Sequence, residues 1–361
     1  MSFELAKFTP PDFSDEFFRN APDAKTVEVV KEGVVPRHYH ALSIYPEYFK
    51  VNGKWVLANE SRMDSVARVN DEGGIDVIEF RHAHVGDKIV VGRTEDGTEG
   101  IYLYKGGFLS KEGNNDQFAF RTGRSRETAF SKDYDDLYER LQYEKEHDGH
   151  IVWVLGPSVA LDKETRDAFA DLVSNGYVNA LFSGNTLGSY DLEMGMFGTV
   201  LGQETFNYDK EEHYNYVDSI NEVRKAGSLE EFFSTGKVKD GILKACVDHD
   251  VPVILAGTIR DRFNLPCVYD NVYEAQDAMR KHTRKATMLI CLSTVLHTIA
   301  AGNMTPSYTR KDGTVRPVFI YSIDIQEFSV NKLSDRGTLE VRTIVANSQD
   351  FIMNVRNGVV K

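Results

Sequence analysis

Three short apolar stretches, HIVWVLGPS (150–158), VNALFSGN (178–185) and VPVILAGT (251–258), decide the fold class of this chain. Each ends in a turn that carries glycine, and each is followed by a segment that starts a helix. Uninterrupted apolar runs of this length are typical of strands that are buried on both faces of a parallel sheet. In open parallel sheets, nucleotides and small ligands bind in the crevice beyond the carboxyl ends of the strands. The stretches therefore predict a doubly wound α/β sheet with a dinucleotide or metabolite site along one edge.

Composition limits the class of protein. The chain has 361 residues, enough for two domains, and is 41% hydrophobic. Its formal net charge of -13 argues against a nucleic-acid partner. The start, MSFELAKFTPPDFSDEF, lacks the features of a secretory signal, and no run of 18 uncharged apolar residues predicts a membrane span. We therefore expect a cytoplasmic protein.

Cysteine and histidine usage predicts neither a disulfide framework nor a metal centre. The three cysteines, Cys246, Cys267 and Cys291, are an odd number without CxxC spacing, as in reduced core thiols. The ten histidines are scattered, and no set of three has the spacing of metal ligands. We predict no metal site.

Residues 26–104 differ in pattern from the rest of the chain. Alternating β-branched segments are separated by Gly, Asn and Asp, and VNGKWV (51–56) has the Asn-Gly pair of a type I′ hairpin. The polar stretch 111–133 then breaks the pattern, and its arginines, within 121–127, suit either a ligand-facing connection or a solvated linker. We predict a smaller β-rich α+β domain over 1–130 and a Rossmann-like domain over 131–361.

Within the second domain, helices and strands are predicted to alternate. An amphipathic helix feeds the strand at 150–158, and an apolar helix is predicted over about 286–301, capped by Gly302 and Asn303. The strand PVFIYSI (317–323), a helix in 326–337, the strand LEVRTIVA (339–346) and a final helix complete the chain. This pattern predicts a sheet of five or six strands.

Glycine-bearing turns supply the first candidate site residues. Gly156, Pro157 and Ser158 follow one predicted strand directly, and glycine there lets a backbone amide approach a phosphate oxygen. Gly184 and Asn185 end the next strand, with Asp191 shortly after. Asn and Asp at such positions either bind ribose hydroxyls or cap the following helix. A Gly-Pro pair also serves simply as a turn.

The densest cluster of polar residues is Gly257-Thr258-Ile259-Arg260-Asp261. The Arg260 guanidinium matches a substrate carboxylate, and Asp261 suits an ammonium group or a proton transfer. The alternative is a simple ion pair on a loop.

Isolated polar residues elsewhere have competing interpretations. Asp324 closes a strand, where it either meets a ribose diol or caps the next helix. Arg62 and Asp64 follow the predicted hairpin and are candidates to bind a carboxylate and an ammonium group, respectively. Charged side chains of this kind are usually just solvated. His297 and Asn303 fall at the end of the predicted apolar helix, where a lone histidine is usually a core residue.

Eight blocks in this order complete the pattern: VNGKWVLANESRMD (51–64), VGDKIVVG (85–92), SGNTLGSYDLEMGMFGTVLG (183–202), INEVRKAGSLEEFFSTGKVKDGI (220–242), VPVILAGTIRD (251–261), LPCVYDNVYEAQDAMR (265–280), LHTIAAGNMTP (296–306) and SIDIQEFSVNKLSDRG (322–337). With them the chain resembles the family of archaeal ornithine cyclodeaminase and the C-terminal half of the cyanobacterial bifunctional arginine dihydrolase/ornithine cyclodeaminase. Its front part resembles the LOR/SDH domain.

The resemblance implies a Rossmann-like NAD domain related to deoxyhypusine synthase, behind a β-rich cap, in a homo-oligomer such as a dimer or tetramer. It implies an ammonia-lyase that converts L-ornithine to L-proline by internal hydride transfer. Carried over by position, the cofactor-binding residues would be Gly156, Pro157, Ser158, Gly184, Asn185, Asp191, Gly257, Thr258, Asn303 and Asp324. The residues for substrate binding and proton transfer would be Arg62, Asp64, Arg260 and Asp261.

Three turns depart from the family pattern: VALDKE (159–164), RFN (262–264) and RTGRSRE (121–127). We expect these turns to line the crevice, so they leave the substrate open. Another NAD-dependent oxidoreductase or condensing enzyme for amino acids or imines is therefore an alternative. A protein that binds NAD or a metabolite without turnover is a second one. The residues do not distinguish NAD from NADP.

Overall fold

A computed structural model describes residues 3–108, 130–200, 214–311, 313–326 and 340–360. The front part begins with helix α1 (Glu16–Asn20) and continues with seven strands: β1 (Thr26–Glu28), β2 (Glu47–Val51), β3 (Lys54–Leu57), β4 (Val66–Val69), β5 (Ile75–Ile78), β6 (Lys88–Val90) and β7 (Ile101–Leu103). They form two antiparallel sheets, in the orders β1-β6-β4-β5 and β3-β2-β7. The predicted hairpin is confirmed, since β2 pairs with β3 and both Asn52 and Gly53 have positive φ.

The rest of the chain contains a sheet of seven parallel strands. They are β8 (Ile151–Leu155), β9 (Ala180–Gly184), β10 (Val253–Ala256), β11 (Val268–Tyr269), β12 (Met288–Leu292), β15 (Phe319–Asp324) and β16 (Glu340–Val345). Their order is β11-β10-β9-β8-β12-β15-β16. The three stretches that predicted the fold are neighbours at its centre, as β10, β9 and β8. The predicted mostly parallel, Rossmann-like sheet is confirmed.

Nine helices in the described ranges accompany this sheet: α2 (Phe130–Glu146), α3 (Lys163–Ser174), α4 (Asn185–Phe197), α5 (Asn215–Ala226), α6 (Leu229–Ser234), α7 (Ile242–Asp248), α8 (Val272–Thr283), α9 (Val295–Met304) and α10 (Ser348–Val359). Both faces of the sheet carry an apolar core. On β8, Trp153 packs into one core and Val154 into the other, because successive side chains point to opposite faces. No helix in the described ranges is long and apolar enough to cross a lipid bilayer.

The predicted helix over 286–301 is wrong. Met288–Leu292 is the strand β12 at the middle of the sheet, and α9 begins only at Val295. A strand that is buried on both faces and a core helix both consist of apolar residues throughout, so hydrophobic periodicity does not distinguish them. Together with the short strand β11, which was not predicted either, β12 brings the sheet to seven strands instead of five or six. Gly302 lies inside α9 instead of after a helix.

An unpredicted hairpin, β13 (Tyr308–Lys311) and β14 (Thr314–Pro317), joins the two parts of the molecule. The Tyr308 hydroxyl donates to the carbonyl of Ala58 over 2.7 Å, and the amide of Ser307 donates to Ser61 over 2.9 Å. β15 starts directly after this hairpin, so the front part packs near the amino-terminal edge of the parallel sheet.

Some predictions fall on residues outside the described ranges. The basic stretch 121–127 and nearly all of the predicted helix in 326–337 are among them. The predicted domain boundary at 130/131 adjoins residues 109–129, which are also outside, so the division into domains stays a prediction.

Candidate functional site

The carboxyl ends of β8, β9, β10 and β12 meet around one cleft. Its lining residues are Leu155, Pro157, Ser183, Gly184, Asn185, Thr186, Leu187, Thr258, Arg260, Asp261, Thr294 and His297. Six of the residues predicted from sequence are therefore brought together here: Pro157, Gly184, Asn185, Thr258, Arg260 and Asp261. The cleft has a volume of about 40 Å³. This is room for water, below the roughly 300–1,000 Å³ of typical ligand pockets.

Three helical segments begin at this cleft: a 3₁₀ turn at Pro157–Ala160, α4 and α9. In the described structure, their N-cap residues, Gly156, Gly184 and Thr294, give no side-chain hydrogen bond to the helix start. Among the described helices around the parallel sheet that start elsewhere, four are capped by side chains of their N-cap residues, namely Asp162 on α3, Ser228 on α6, Asn271 on α8 and Asn347 on α10, whereas the N-cap residues of α5 and α7 give no such bond. Uncapped amides and the helix dipole favour a negatively charged group at the cleft.

The glycines at the strand ends have packing roles of their own. A Cβ on Gly156 would lie 2.0 Å from the carbonyl oxygen of Ser293, in the turn between β12 and α9. A Cβ on Gly184 would lie 3.1 Å from Cε1 of His297, and one on Gly257 would lie 3.0 Å from the carbonyl oxygen of Tyr269. These contacts alone require small residues at the strand tips. Approach of these glycines to a phosphate stays a prediction.

The loop at 257–264 forms one wall of the cleft. Oδ2 of Asp261 accepts hydrogen bonds from the amide of Thr258 at 2.8 Å and from its hydroxyl at 3.2 Å. Arg260 is exposed, and no ion pair joins the described residues Arg260 and Asp261. The guanidinium is therefore available to a ligand, and the simple ion pair considered from sequence is not formed.

Asn185 holds this loop to the start of α4. Its side chain is buried, with Nδ2 donating to the carbonyl of Phe263 at 2.8 Å and Oδ1 accepting from the amide of Leu265 at 2.9 Å. Both polar ends of the side chain are used inside the protein. This contact positions the loop, and a direct role of Asn185 in cofactor binding stays a prediction.

His297 lines the cleft, which the sequence did not reveal. Its Nδ1 shares a 3.0 Å hydrogen bond with the hydroxyl of Thr294. Burial lowers the pKa of His297, nearby Arg260 lowers it further, and Asp261 opposes the shift. The sequence placed His297 at the end of a helix, whereas it lies in the first turn of α9. The Ser-Thr pair at 293–294, a helix-start signal, could have revealed this.

Asp191 has a structural environment away from the cleft lining. It is buried in α4, and its carboxylate accepts from Nε of Arg166 at 2.8 Å. It also accepts from the amides of Ile242 at 3.0 Å and Leu243 at 2.8 Å, which caps the start of α7. These bonds explain a buried carboxylate at this position without a ligand.

Ser158 and Asp324 also lie near the strand ends but are not among the described residues that line the cleft. The Ser158 hydroxyl forms a 3.0 Å hydrogen bond with the hydroxyl of Ser348, at the start of α10. Oδ1 of Asp324 accepts from the amide of Gln326 at 3.0 Å. Their predicted contacts with a cofactor remain predictions.

Asn303, Arg62 and Asp64 lie at the opposite edge of the sheet. Asn303 is exposed in the last turn of α9, about 12 Å along the helix from its cleft end at 1.5 Å per residue. Asp64 is exposed with a φ of 60°, and Arg62 is 2% exposed. Within one chain, these three residues are therefore separated from Arg260 and Asp261.

Arg62 belongs to an ion-pair cluster between the front part and α8. Its members are Glu60, Arg62, Glu79, Arg81, Asp277, Arg280 and Arg284. Glu79 pairs with three guanidinium groups: Arg62 at 3.1 Å, Arg81 at 2.9 Å, and Arg280. Burial and the neighbouring Arg62 and Arg284 lower the pKa of Arg280 to about 10. Nε and Nη2 of Arg62 are covered and find no hydrogen-bond partner among the described residues. The cluster joins the two parts of the molecule.

In the described part of the chain, no three His, Cys, Asp or Glu side chains are grouped as metal ligands would be.

Comparison with known proteins identifies relatives along most of the chain. An ornithine cyclodeaminase of Methanopyrus kandleri is 32% identical over 333 residues, covering 89% of this chain and 74% of that protein. The bifunctional arginine dihydrolase/ornithine cyclodeaminase AgrE of Nostoc sp. is 29% identical over 91% of this chain, which spans 46% of AgrE.

Two solved structures resemble the fold. A conserved LOR/SDH protein from Methanococcus maripaludis has a TM-score of 0.79 at 27% identity, with 94% of this chain and 98% of that chain covered. The ternary complex of AgrE with ornithine and NAD+ has a TM-score of 0.57 at 27% identity, with 94% of this chain and 46% of that chain covered. Residues 135–355 match the family described as "Arginine dihydrolase ArgZ-like, C-terminal, Rossmann fold". The chain therefore belongs to this ArgZ-like family.

Proposed function

We propose that this protein is an NAD-dependent enzyme that converts L-ornithine to L-proline and ammonia. One observation carries the proposal: the cleft at the carboxyl ends of the central strands combines helix starts without N-cap side-chain bonds, the exposed guanidinium of Arg260 and the imidazole of His297. Its relatives named as ornithine cyclodeaminases, and the AgrE complex with ornithine and NAD+, support the choice of substrate and cofactor.

The donor groups at the cleft suit a dinucleotide. The uncapped amides at the starts of α4 and α9 would hold the pyrophosphate, because helix N-termini favour anions. The present volume of about 40 Å³ is too small for the whole cofactor, so the cleft must widen on binding. When bound, NAD would accept a hydride from the substrate α-carbon and return it to the product.

The same loop supplies the substrate contacts. Arg260 would bind the amino-acid carboxylate through its planar guanidinium, and Asp261 would face an ammonium group of ornithine. Arg62 and Asp64 lie at the other edge of the sheet, so their substrate roles would need a second copy of the chain to bring that edge to the cleft. The expected homo-oligomer stays a prediction.

The departures from the family pattern at 159–164 and 262–264 do not line the cleft described here. Val159 and Ala160 are buried in the core, and Phe263 contributes a backbone carbonyl to Asn185. We expected these turns to line the crevice and to change the substrate. Their positions favour retention of the ornithine reaction instead.

The decisive experiment follows a label. Purified protein is incubated with NAD and L-ornithine deuterated at Cα, and proline, ammonia and deuterium are measured. We expect proline with deuterium at Cα, because the hydride leaves and returns within one site. Proline without the label would exclude internal hydride transfer. Nucleotide binding without any product would support the non-catalytic alternative.

A pair of variants tests the substrate contact. Arg260→Ala should raise the KM for ornithine about 10- to 100-fold, the range expected for a lost charge-assisted hydrogen bond, without a change in NAD affinity. Arg262 is exposed in the same loop but does not line the cleft, so Arg262→Ala is the matched control. Equal effects in the two variants would place the substrate elsewhere.

A further inference from the structure

We propose that His297 is a catalytic residue of this cleft, which accepts the proton that the α-ammonium group of the substrate loses before the hydride leaves Cα. This inference rests on the proposed function and assigns the proton acceptor within it. A protonated amine cannot form a double bond to Cα, so a base is required next to the reacting carbon.

The geometry holds the imidazole at the cleft in a defined orientation. Its Nδ1 is tied to the hydroxyl of Thr294 at 3.0 Å, and Nε2 has no hydrogen-bond partner among the described residues. The Cε1–Nε2 edge of the ring lies over the tip of β9: an added Cβ on Gly184 would be 3.1 Å from Cε1 and 3.5 Å from Nε2. Gly184 thus makes the space in which the ring sits, and His297 is one of the residues that line the cleft.

The surroundings keep the ring neutral and able to accept a proton. The charged groups that face it, Arg260 and Asp261, both come from the loop after β10, whereas the lining from β8, β9 and α4 is uncharged. Burial and Arg260 lower the pKa of His297 and Asp261 partly opposes them, so the imidazole is mostly unprotonated at neutral pH.

Asp261 is the competing base. Its Oδ2 already accepts two hydrogen bonds from Thr258, which hold the carboxylate in the loop. An imidazole is also a stronger base than a carboxylate. Asp261 is therefore better suited to hold an ammonium group, and His297 to take its proton.

The proton balance closes over one turnover. An N–H bond of the α-ammonium group breaks and an N–H bond forms at Nε2 of His297. The δ-ammonium group loses one proton to solvent, and its nitrogen then forms a bond to Cα. A proton passes from this ring nitrogen to the α-nitrogen, the bond between Cα and the α-nitrogen breaks, and the departing ammonia takes the proton of the imidazolium and leaves as ammonium. When the hydride returns to Cα, the ring nitrogen takes one proton from solvent, so substrate and products carry the same number of protons. The electron pair that leaves Cα with the hydride returns in the same turnover, so no further oxidant or reductant is needed.

The test uses His297→Gln, which keeps a hydrogen-bonding side chain but cannot take a proton near neutral pH. In the wild-type protein, kcat/KM for ornithine should fall as the pH drops through the pKa of His297. In the variant, the acid limb of the pH profile should disappear and kcat should fall by about 100-fold or more. Its Kd for NAD should stay within about threefold of the wild-type value. His282→Gln is the matched control, since His282 is another half-buried histidine with a lowered pKa, at the far edge of the sheet.

A second readout does not depend on turnover. In protein with isotope-labelled histidine, the imidazole resonance that disappears in His297→Gln should titrate below 6.5, and ornithine with NAD should shift it. The role of His297 would be overturned, without affecting the proposed function, by any of three results. These are an unchanged kcat in His297→Gln, an acid limb that persists in the variant, or an imidazole resonance that neither ornithine nor NAD shifts. Absence of ornithine turnover in the wild-type protein would reject the proposed function together with this role.

Discussion

Gly156→Ala tests whether the strand-end glycine serves packing. The backbone of Gly156, with φ of −82° and ψ of 166°, is open to alanine, so the substitution introduces no backbone strain. The new Cβ would lie 2.0 Å from the carbonyl oxygen of Ser293, and that oxygen must retreat about 1.4 Å to reach ordinary contact at 3.4 Å. The 2.8 Å hydrogen bond from the Gly156 amide to Leu292 joins the same two segments.

The expected cost follows from these contacts. Overpacking costs about 1–3 kcal/mol, and weakening the hydrogen bond adds about 1 kcal/mol. Alanine recovers about 0.5 kcal/mol by restricting the unfolded chain. We therefore expect Gly156→Ala to lower the free energy of unfolding by about 1.5–3.5 kcal/mol. Urea denaturation followed by circular dichroism and by the fluorescence of Trp153, which is buried in β8, measures this change.

Gly184→Ala is the matched control, at another strand end with extended backbone. Its new Cβ would lie 3.1 Å from the His297 ring, which can shift by a few tenths of an ångström. The free energy of unfolding should therefore change by less than about 1 kcal/mol. The ring of His297 would shift, however, and turnover should fall. If Gly156→Ala unfolds at the wild-type urea concentration but no longer binds NAD, the packing explanation is refuted and direct phosphate contact is favoured.

Three further perturbations address buried charges. Asp191→Asn should lower the free energy of unfolding by about 3 kcal/mol, because it removes the buried anion that faces the buried Arg166 guanidinium and leaves only the half-exposed Asp240. Glu79→Gln should lower it by about 2 kcal/mol, since three arginines share that carboxylate. Burial and His282 lower the pKa of His150 to about 4, below its unfolded value near 6.5. Its contribution is therefore complete above pH 6.5 and is lost as the pH falls towards 4, by about 2 kcal/mol after allowance for partial exposure.

Urea denaturation measures all three effects, each with its own comparison. Asp240 also pairs with Arg166 but is half exposed, so Asp240→Asn should change stability far less than Asp191→Asn. For Glu79, the exposed pair of Lys163 and Asp167 gives the reference, and Asp167→Asn should cost below about 0.5 kcal/mol. For His150, the loss between pH 7 and pH 5 should shrink in His150→Gln. Equal losses within any of these pairs would contradict the assigned role.

Sequence patterns predicted much of the fold because local chemistry encodes it. The run Ile151–Leu155 is apolar throughout since both faces of β8 are covered, and Asn52-Gly53 forms the only kind of turn that suits their positive φ. The same patterns failed at Met288–Leu292, where an apolar run fits a strand and a core helix equally well. That single error moved His297 from the cleft to the end of a helix.

By itself, the sequence determined the parallel sheet and the family to which the chain belongs, and it predicted a ligand site at one edge of that sheet. Only the tertiary structure decided which candidate residues lie together. Arg260 and Asp261 line the cleft, whereas Arg62 lies at the other edge of the sheet. The carboxylate of Asp191 caps the start of α7 instead. The physical reason is that strand ends are set by local residue order, while the partners of a polar side chain are set by elements distant in sequence. His297 shows this most directly, since its place depends on where β12 ends.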